Sequence, residues 1–195
     1  MENEQIILDQ LSAPLLAWYD ENRRQLPWRE EVSAYRTWVS EIMLQQTRVQ
    51  AVLPYFERFM AAAPDVPALA ELAEDRLLSL WQGLGYYSRA RSLQRSARVM
   101  VDKYGGCLPD TYSDLIQLPG IGDYTAGAIL SIAFNKAAPA VDGNVLRIAA
   151  RLTSCGDNVL DLRTRQHVRD ALAAVMPTDR PGDFNQAMMD LGAAV

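Results

Sequence analysis

Histidine and cysteine are scarce in this chain, with one histidine, His167, and two cysteines, Cys107 and Cys155, among 195 residues. The cysteines stand far apart without metal-ligand spacing, so no metal site can be built from them, and both read as free thiols in a reducing compartment. No apolar run approaches the roughly 18 residues that suggest a membrane span. The start, Met1-Glu2-Asn3-Glu4, is acidic and lacks the basic opening and apolar stretch of a signal peptide. A cytoplasmic protein is therefore expected, associated with the nucleoid if bacterial. Strand-like alternation is also missing, and Pro139-Ala140-Val141 is the nearest extended candidate. There is no internal repeat, low-complexity tract or flexible linker. Positive charge is in deficit: the net charge of −5 is not the footprint of a protein that coats DNA.

What the chain does have is apolar residues, 49% of the total, enough to bury a core in one large domain or two small ones. They recur at three- and four-residue intervals over 5–20, 36–48, 51–62, 68–81, 88–104, 111–117, 124–134, 143–153, 163–176 and 181–194. Turn chemistry separates these stretches, at Leu26-Pro27, Ala63-Pro64-Asp65, Gly83 to Gly85, Gly105-Gly106, Pro119 to Gly122, Ala138-Pro139 and Met176-Pro177. Many helices with short loops predict an all-α orthogonal bundle. The cations that are present cluster: Arg89, Arg91, Arg95, Arg98 and Lys103 fall in one helical stretch whose only acid is Asp102. Such a strip suits either a phosphate backbone or a solvated helix face.

Residues 118–128, Leu-Pro-Gly-Ile-Gly-Asp-Tyr-Thr-Ala-Gly-Ala, carry the most specific local signal. Pro119 stops a preceding helix. Gly120 and Gly122 permit a tight turn and a close approach of the backbone to another surface. Asp123 and Thr125 then open an apolar helix. A glycine turn feeding a helix N-terminus presents N–H groups and a positive dipole end to a phosphate. The pattern is that of a helix-hairpin-helix, which grips a nucleic-acid backbone without reading bases. An ordinary corner in a bundle has the same ingredients.

Two acids stand out. Glu41 lies mid-helix with Trp38 at i−3, Leu44 at i+3 and Gln45 at i+4, a semi-apolar face. Such surroundings keep a carboxyl protonated for general acid work, although most mid-helix glutamates are simply exposed. Asp142 follows Pro139-Ala140-Val141 and precedes Gly143-Asn144 and a new helix, the place of an N-cap. A carboxylate held by backbone N–H groups there also stays ionised, as a developing cation requires.

Taken with the hairpin, these acids resemble those of the helix-hairpin-helix DNA glycosylases and, among them, the adenine DNA glycosylases of the MutY type. The resembling stretches are Leu26-Pro27-Trp28-Arg29, Trp38 to Thr47, Pro54 to Phe59, Trp81 to Arg89, Leu118 to Leu130, Val141 to Val145 and Phe184 to Ala193. The resemblance implies an all-α, two-lobed fold. One lobe is a six-helix barrel over residues 22–136, ending with the hairpin at 118–128. The other combines residues 1–21 with 137–195, and Glu41 faces Asp142 across the cleft.

The implied activity is hydrolysis of the N-glycosidic bond of adenine mispaired with 8-oxoguanine or guanine. Glu41 protonates the flipped adenine, Asp142 stabilises the oxocarbenium-like sugar, and Glu41 assists the attacking water. Tyr124 and Asn144 position Asp142, and Arg29 holds the adenine. Gln46, Leu84 and Tyr86 enter the duplex where the base leaves, although Tyr86 also reads as a core aromatic. Gly120, Gly122 and Thr125 belong to the phosphate grip, with a monovalent cation at the turn carbonyls. The implied partner is double-stranded DNA bound by a monomer. The endonuclease III branch carries a lysine where this chain has Tyr124. Without that Schiff-base amine, the expected enzyme is monofunctional and leaves an abasic strand.

The resemblance also implies a 4Fe–4S cluster held by four cysteines just beyond Leu191-Gly192-Ala193, and often a further domain that senses 8-oxoguanine. The chain stops at Val195 before those cysteines. A fragment or shortened relative without a cofactor of its own is the expectation. Two alternatives stay open: a related glycosylase acting on damaged pyrimidines, against which Tyr124 and the Arg29 motif speak, and a module that only binds DNA through the hairpin.

Overall fold

A computed structural model describes residues 10–154, 156, 158, 159 and 161–194 of the chain. Among these residues there are twelve helices and no strand. They are α1 (Ser12–Asn22), α2 (Pro27–Glu30), α3 (Ala34–Leu44), α4 (Val49–Ala62), α5 (Val66–Glu71), α6 (Glu74–Trp81), α7 (Ser88–Tyr104), α8 (Tyr112–Leu115), α9 (Asp123–Phe134), α10 (Gly143–Thr153), α11 (Leu162–Val175) and α12 (Pro181–Ala194). The first expected helix, 5–20, begins outside the described residues, as does Cys155. Cys107 is free and exposed. None of the described helices is long and apolar enough to cross a membrane.

Two differences from the periodicity are informative. Pro27–Glu30 forms a short helix where only a break is expected, because Pro27 occupies the first turn, where its missing N–H costs nothing. The stretch 68–81 divides into α5 and α6 without any glycine or proline at the division. Leu72 and Ala73 are extended there, with ψ of 132° and 136°. The cause lies in α7. The Gln94 side-chain amide donates to Leu69 O at 3.2 Å and Leu72 O at 2.5 Å, and Arg98 Nε donates to Ala70 O at 3.2 Å. Side chains from a distant helix thus satisfy the carbonyls that end α5, which a local pattern cannot reveal.

The chain divides into two compact units, residues 26–126 and residues 1–25 with 127–195. The first is built around α3, whose residues Tyr35 and Thr37 to Met43 are all buried. Ser33 caps it by accepting from Arg36 N at 3.1 Å. Aromatic rings pack edge-on around it: Trp28 on Phe56 at 5.1 Å, Phe59 on Trp81 at 6.0 Å and Tyr35 on Trp38 at 6.2 Å between centroids.

The second unit joins both ends of the chain. In it α12 packs on α1 and α10 through a core that includes Leu15, Tyr19, Leu146, Leu172, Phe184 and Met188. Arg24 pairs with the buried carboxylate of Asp190, and Arg180 bridges Asp20 at 2.5 Å and Asp183 at 2.7 Å. The division falls within α9 rather than after it. Beyond Ala126, α9 joins the second unit: Asn185 of α12 donates to Ser131 Oγ at 2.7 Å and to Ala138 O at 2.9 Å.

Gln94→Leu leaves the buried carbonyl of Leu69 and the half-buried carbonyl of Leu72 without that donor. It is expected to cost about 1–3 kcal/mol in urea denaturation, whereas Arg95→Ala, on the exposed side of α7, changes stability by less than about 0.5 kcal/mol.

Candidate functional site

The hairpin is built from α8, the turn 116–122 and the start of α9. Gly120 has φ of +82°, open to glycine at little cost, and a Cβ there would come within 2.9 Å of Ser92 Cβ in α7. Ser96 Oγ donates to Pro119 O at 2.7 Å, so α7 holds the turn at two successive helical levels. Gly122 is exposed, with open space where a side chain would stand, and its carbonyl accepts from Ala126 N at 2.9 Å to begin α9. Tyr112 Oη donates to Asp123 Oδ1 at 2.6 Å, tying the two helices of the hairpin together. Thr125 is 2% exposed, whereas Gly120 and Gly122 of the turn are exposed.

Glu41 is 6% exposed on α3. Its Oε2 accepts from Tyr124 Oη at 2.7 Å, a bond that joins residues 83 apart in sequence. The first turn of α9 therefore aims a phenol at the one buried carboxyl of α3. Such a bond orients the carboxyl group, and a buried carboxyl without one would carry the full cost of its desolvation.

Asp142 is half-buried and caps α10. Its Oδ1 accepts from Val145 N at 2.8 Å, and its Oδ2 accepts from Asn144 Nδ2 at 3.1 Å. Asn144 Oδ1 in turn accepts from Arg147 Nη2 at 2.9 Å, and the same guanidinium nitrogen donates to Gly192 O. Gly192 allows α12 to come this close, because a Cβ there would stand 2.7 Å from Asn144 O. Asp142 is thus oriented through both oxygens, one by the helix it starts and one by a side chain that α12 supports.

The other expected residues fall in several places. Arg29 is half-buried at the end of α2. Gln46, exposed, and Tyr86, 63% exposed, both take left-handed backbone conformations, with φ of 57° and 48°. Such a conformation costs a non-glycine residue on the order of 1 kcal/mol. Leu84 is only 6% exposed, so Tyr86 rather than Leu84 forms the projecting tip of that turn.

Arg89 differs most from its neighbours in the basic strip. Arg91 pairs with Glu74 at 2.8 Å, and Arg95 and Arg98 are exposed. Arg89 turns inward instead, and burial draws its guanidinium below the usual arginine range. Nothing in the local sequence separates it from the other arginines of the strip.

Residues 39–176 match the family described as HhH-GPD superfamily base excision DNA repair protein. The chain belongs to this superfamily. Among curated relatives it is 46% identical over 190 residues to the adenine DNA glycosylase of Rattus norvegicus, covering 93% of this chain and 37% of that protein. It is 43% identical over 182 residues to the adenine DNA glycosylase of Buchnera aphidicola subsp. Acyrthosiphon pisum, with 93% and 52% covered. The chain therefore spans about a third to a half of the length of these relatives.

Solved structures share the fold. A thermostable thymine-DNA glycosylase superposes with a TM-score of 0.84 at 24% identity, over 100% of this chain and 88% of that one. A trapped endonuclease III–DNA covalent intermediate gives 0.77 at 23%, over 97% and 85%.

Two cysteines cannot supply the four thiolates of a 4Fe–4S cluster. Among the described residues, no group of three or more His, Cys, Asp or Glu could hold a metal ion. The residues present do not fit a cluster.

The two roles available to Asp142 separate by substitution. Asp142→Asn retains a good N-cap and is expected to change thermal stability by less than about 0.5 kcal/mol, whereas Asp142→Leu loses the cap and costs about 1 kcal/mol. Calorimetry on both variants checks this.

Proposed function

We propose that this protein is an adenine DNA glycosylase that hydrolyses the N-glycosidic bond of adenine opposite 8-oxoguanine or guanine in double-stranded DNA. The observation that carries the reading is the buried Glu41 carboxyl held at 2.7 Å by Tyr124. The names of relatives 46% and 43% identical to it support adenine as the base.

In this reading the duplex is gripped at the hairpin through exposed backbone groups of Gly120 and Gly122, with the buried Thr125 supporting the helix start and a monovalent cation at the turn carbonyls. Gln46 and Tyr86 enter the stack as adenine leaves it, with Leu84 buried in the same turn as Tyr86, and Arg29 holds the extruded base. Glu41 gives its proton to the adenine ring. The electron pair of the glycosidic bond leaves with the base, and C1′ becomes an oxocarbenium-like centre. The Asp142 carboxylate, oriented by Asn144, stabilises that charge. Water then adds to C1′ and returns a proton to Glu41, so the acid is regenerated and the products are adenine and an abasic sugar.

Tyr124 has no amine, so no Schiff base forms and the strand stays intact. The protein acts as a monomer in the cytoplasm, on nucleoid DNA if the cell is bacterial.

The test is a single-turnover assay on a duplex carrying adenine opposite 8-oxoguanine. Strand cleavage that appears only after alkali, with no protein–DNA adduct trapped by borohydride, is the expected result. An adduct would replace the monofunctional reading. Duplex binding without adenine release would reduce the protein to a DNA-binding module.

A further inference from the structure

The turn after α3 and the turn before α7 share one guanidinium. Arg89, in the first turn of α7, donates through Nη1 to the carbonyls of Ile42 at 2.8 Å, Met43 at 3.0 Å and Gln45 at 2.6 Å. Through Nη2 it donates to Leu84 O at 3.1 Å, Gly85 O at 3.2 Å and Thr47 Oγ1 at 3.4 Å. Its Cζ lies 5.5 Å from the ring centroid of Trp81 and 5.7 Å from that of Tyr86.

Each nitrogen therefore serves mainly one turn. The first set of acceptors includes carbonyls at the end of α3, where a helix leaves its last carbonyls unsatisfied and where a cation is favoured by the helix dipole. In the second set the Leu84 and Gly85 carbonyls belong to the turn that carries Tyr86, and the Gly85 carbonyl also accepts from Trp81 Nε1 at 3.1 Å. The carbonyl acceptors end immediately before Gln46 and immediately before Tyr86, the residues held at φ of 57° and 48°, and Thr47 Oγ1 accepts just beyond Gln46. Backbone this unfavourable persists only where its surroundings over-determine it. Here the surroundings are one rigid fork of donors.

We propose that Arg89 is a positioning residue that locks the two turns bearing Gln46 and Tyr86 into a single arrangement, so that they engage a duplex together while the helix carrying Glu41 keeps its end fixed. The consequence for catalysis rests on the adenine glycosylase reading; the lock itself does not. Lysine keeps the charge, but as a point donor on a flexible stem it cannot hold two turns at a fixed separation.

The experiment compares wild type with Arg89→Lys. The first measurement is hydrogen exchange of the Thr47 and Leu84 amides, each bonded within its own turn, at 3.1 Å to Leu44 O and 3.0 Å to Trp81 O. In wild type both amides are expected to share one denaturant dependence of exchange, and in Arg89→Lys both accelerate together. Independent denaturant dependences in wild type, or acceleration of only one amide in the variant, would overturn the lock. The wild-type comparison decides this even if the variant fails to fold.

The second measurement is single-turnover adenine release beside the Kd for an undamaged duplex. Arg89→Lys is expected to slow release by about 10²-fold, the scale of an ångström of misplacement, while Kd changes by less than about threefold. Coupled turns with a wild-type release rate would overturn the positioning role. If wild type itself releases no adenine, the glycosylase reading fails, and the exchange data still decide the lock.

Discussion

A carboxyl group buried in the middle of α3 is the constraint on which the candidate chemistry depends. Every neighbour of Glu41 on that helix from Thr37 to Met43 is buried, so the side chain cannot turn to water without unpacking the unit around it. The fold answers by bringing the first turn of α9 alongside and supplying the Tyr124 hydroxyl. That requirement fixes where α9 must start, and the hairpin before it fixes the start through Gly120 against Ser92 and Ser96 against Pro119. The segment proposed to hold DNA and the residue that orients the acid are consecutive parts of one turn and one helix.

The acidic balance of the chain bears on the same arrangement. A net charge of −5 cannot hold DNA by general attraction, and of the basic strip Arg89 is used internally while Arg91 is paired with Glu74. Binding in the proposed reading therefore rests on a few oriented backbone groups and inserted side chains more than on a cationic surface. Such binding tolerates an acidic protein because hydrogen bonds to phosphate from a helix start do not need a net positive field.

The helices were legible wherever the apolar period and the turn residues agreed, and α7, α10 and α12 occupy the expected ranges of 88–104, 143–153 and 181–194. The α5–α6 division was not legible, because the donors that end α5 belong to Gln94 and Arg98 of another helix. The same limit applies at the site. The apolar neighbours of Glu41 in sequence foretell a semi-apolar face, and Asp142 stands where a cap is expected and caps α10. The Tyr124–Glu41 bond and the Arg89 fork span 83 and more than 40 residues, and no spacing rule announces them. Arg89 looks like its neighbours in sequence and differs from them only in what the fold places around it.

The most direct test of the central role given to Glu41 is single-turnover adenine release by Glu41→Gln, measured beside its affinity for the same duplex. Glutamine fills the same space and can still accept from Tyr124, but it has no proton to give. The account predicts that the variant binds the mispaired duplex as wild type does and releases no adenine on the wild-type timescale. Release at a near wild-type rate would contradict it, because the buried carboxyl would then be a structural feature of α3 and the proton would come from elsewhere.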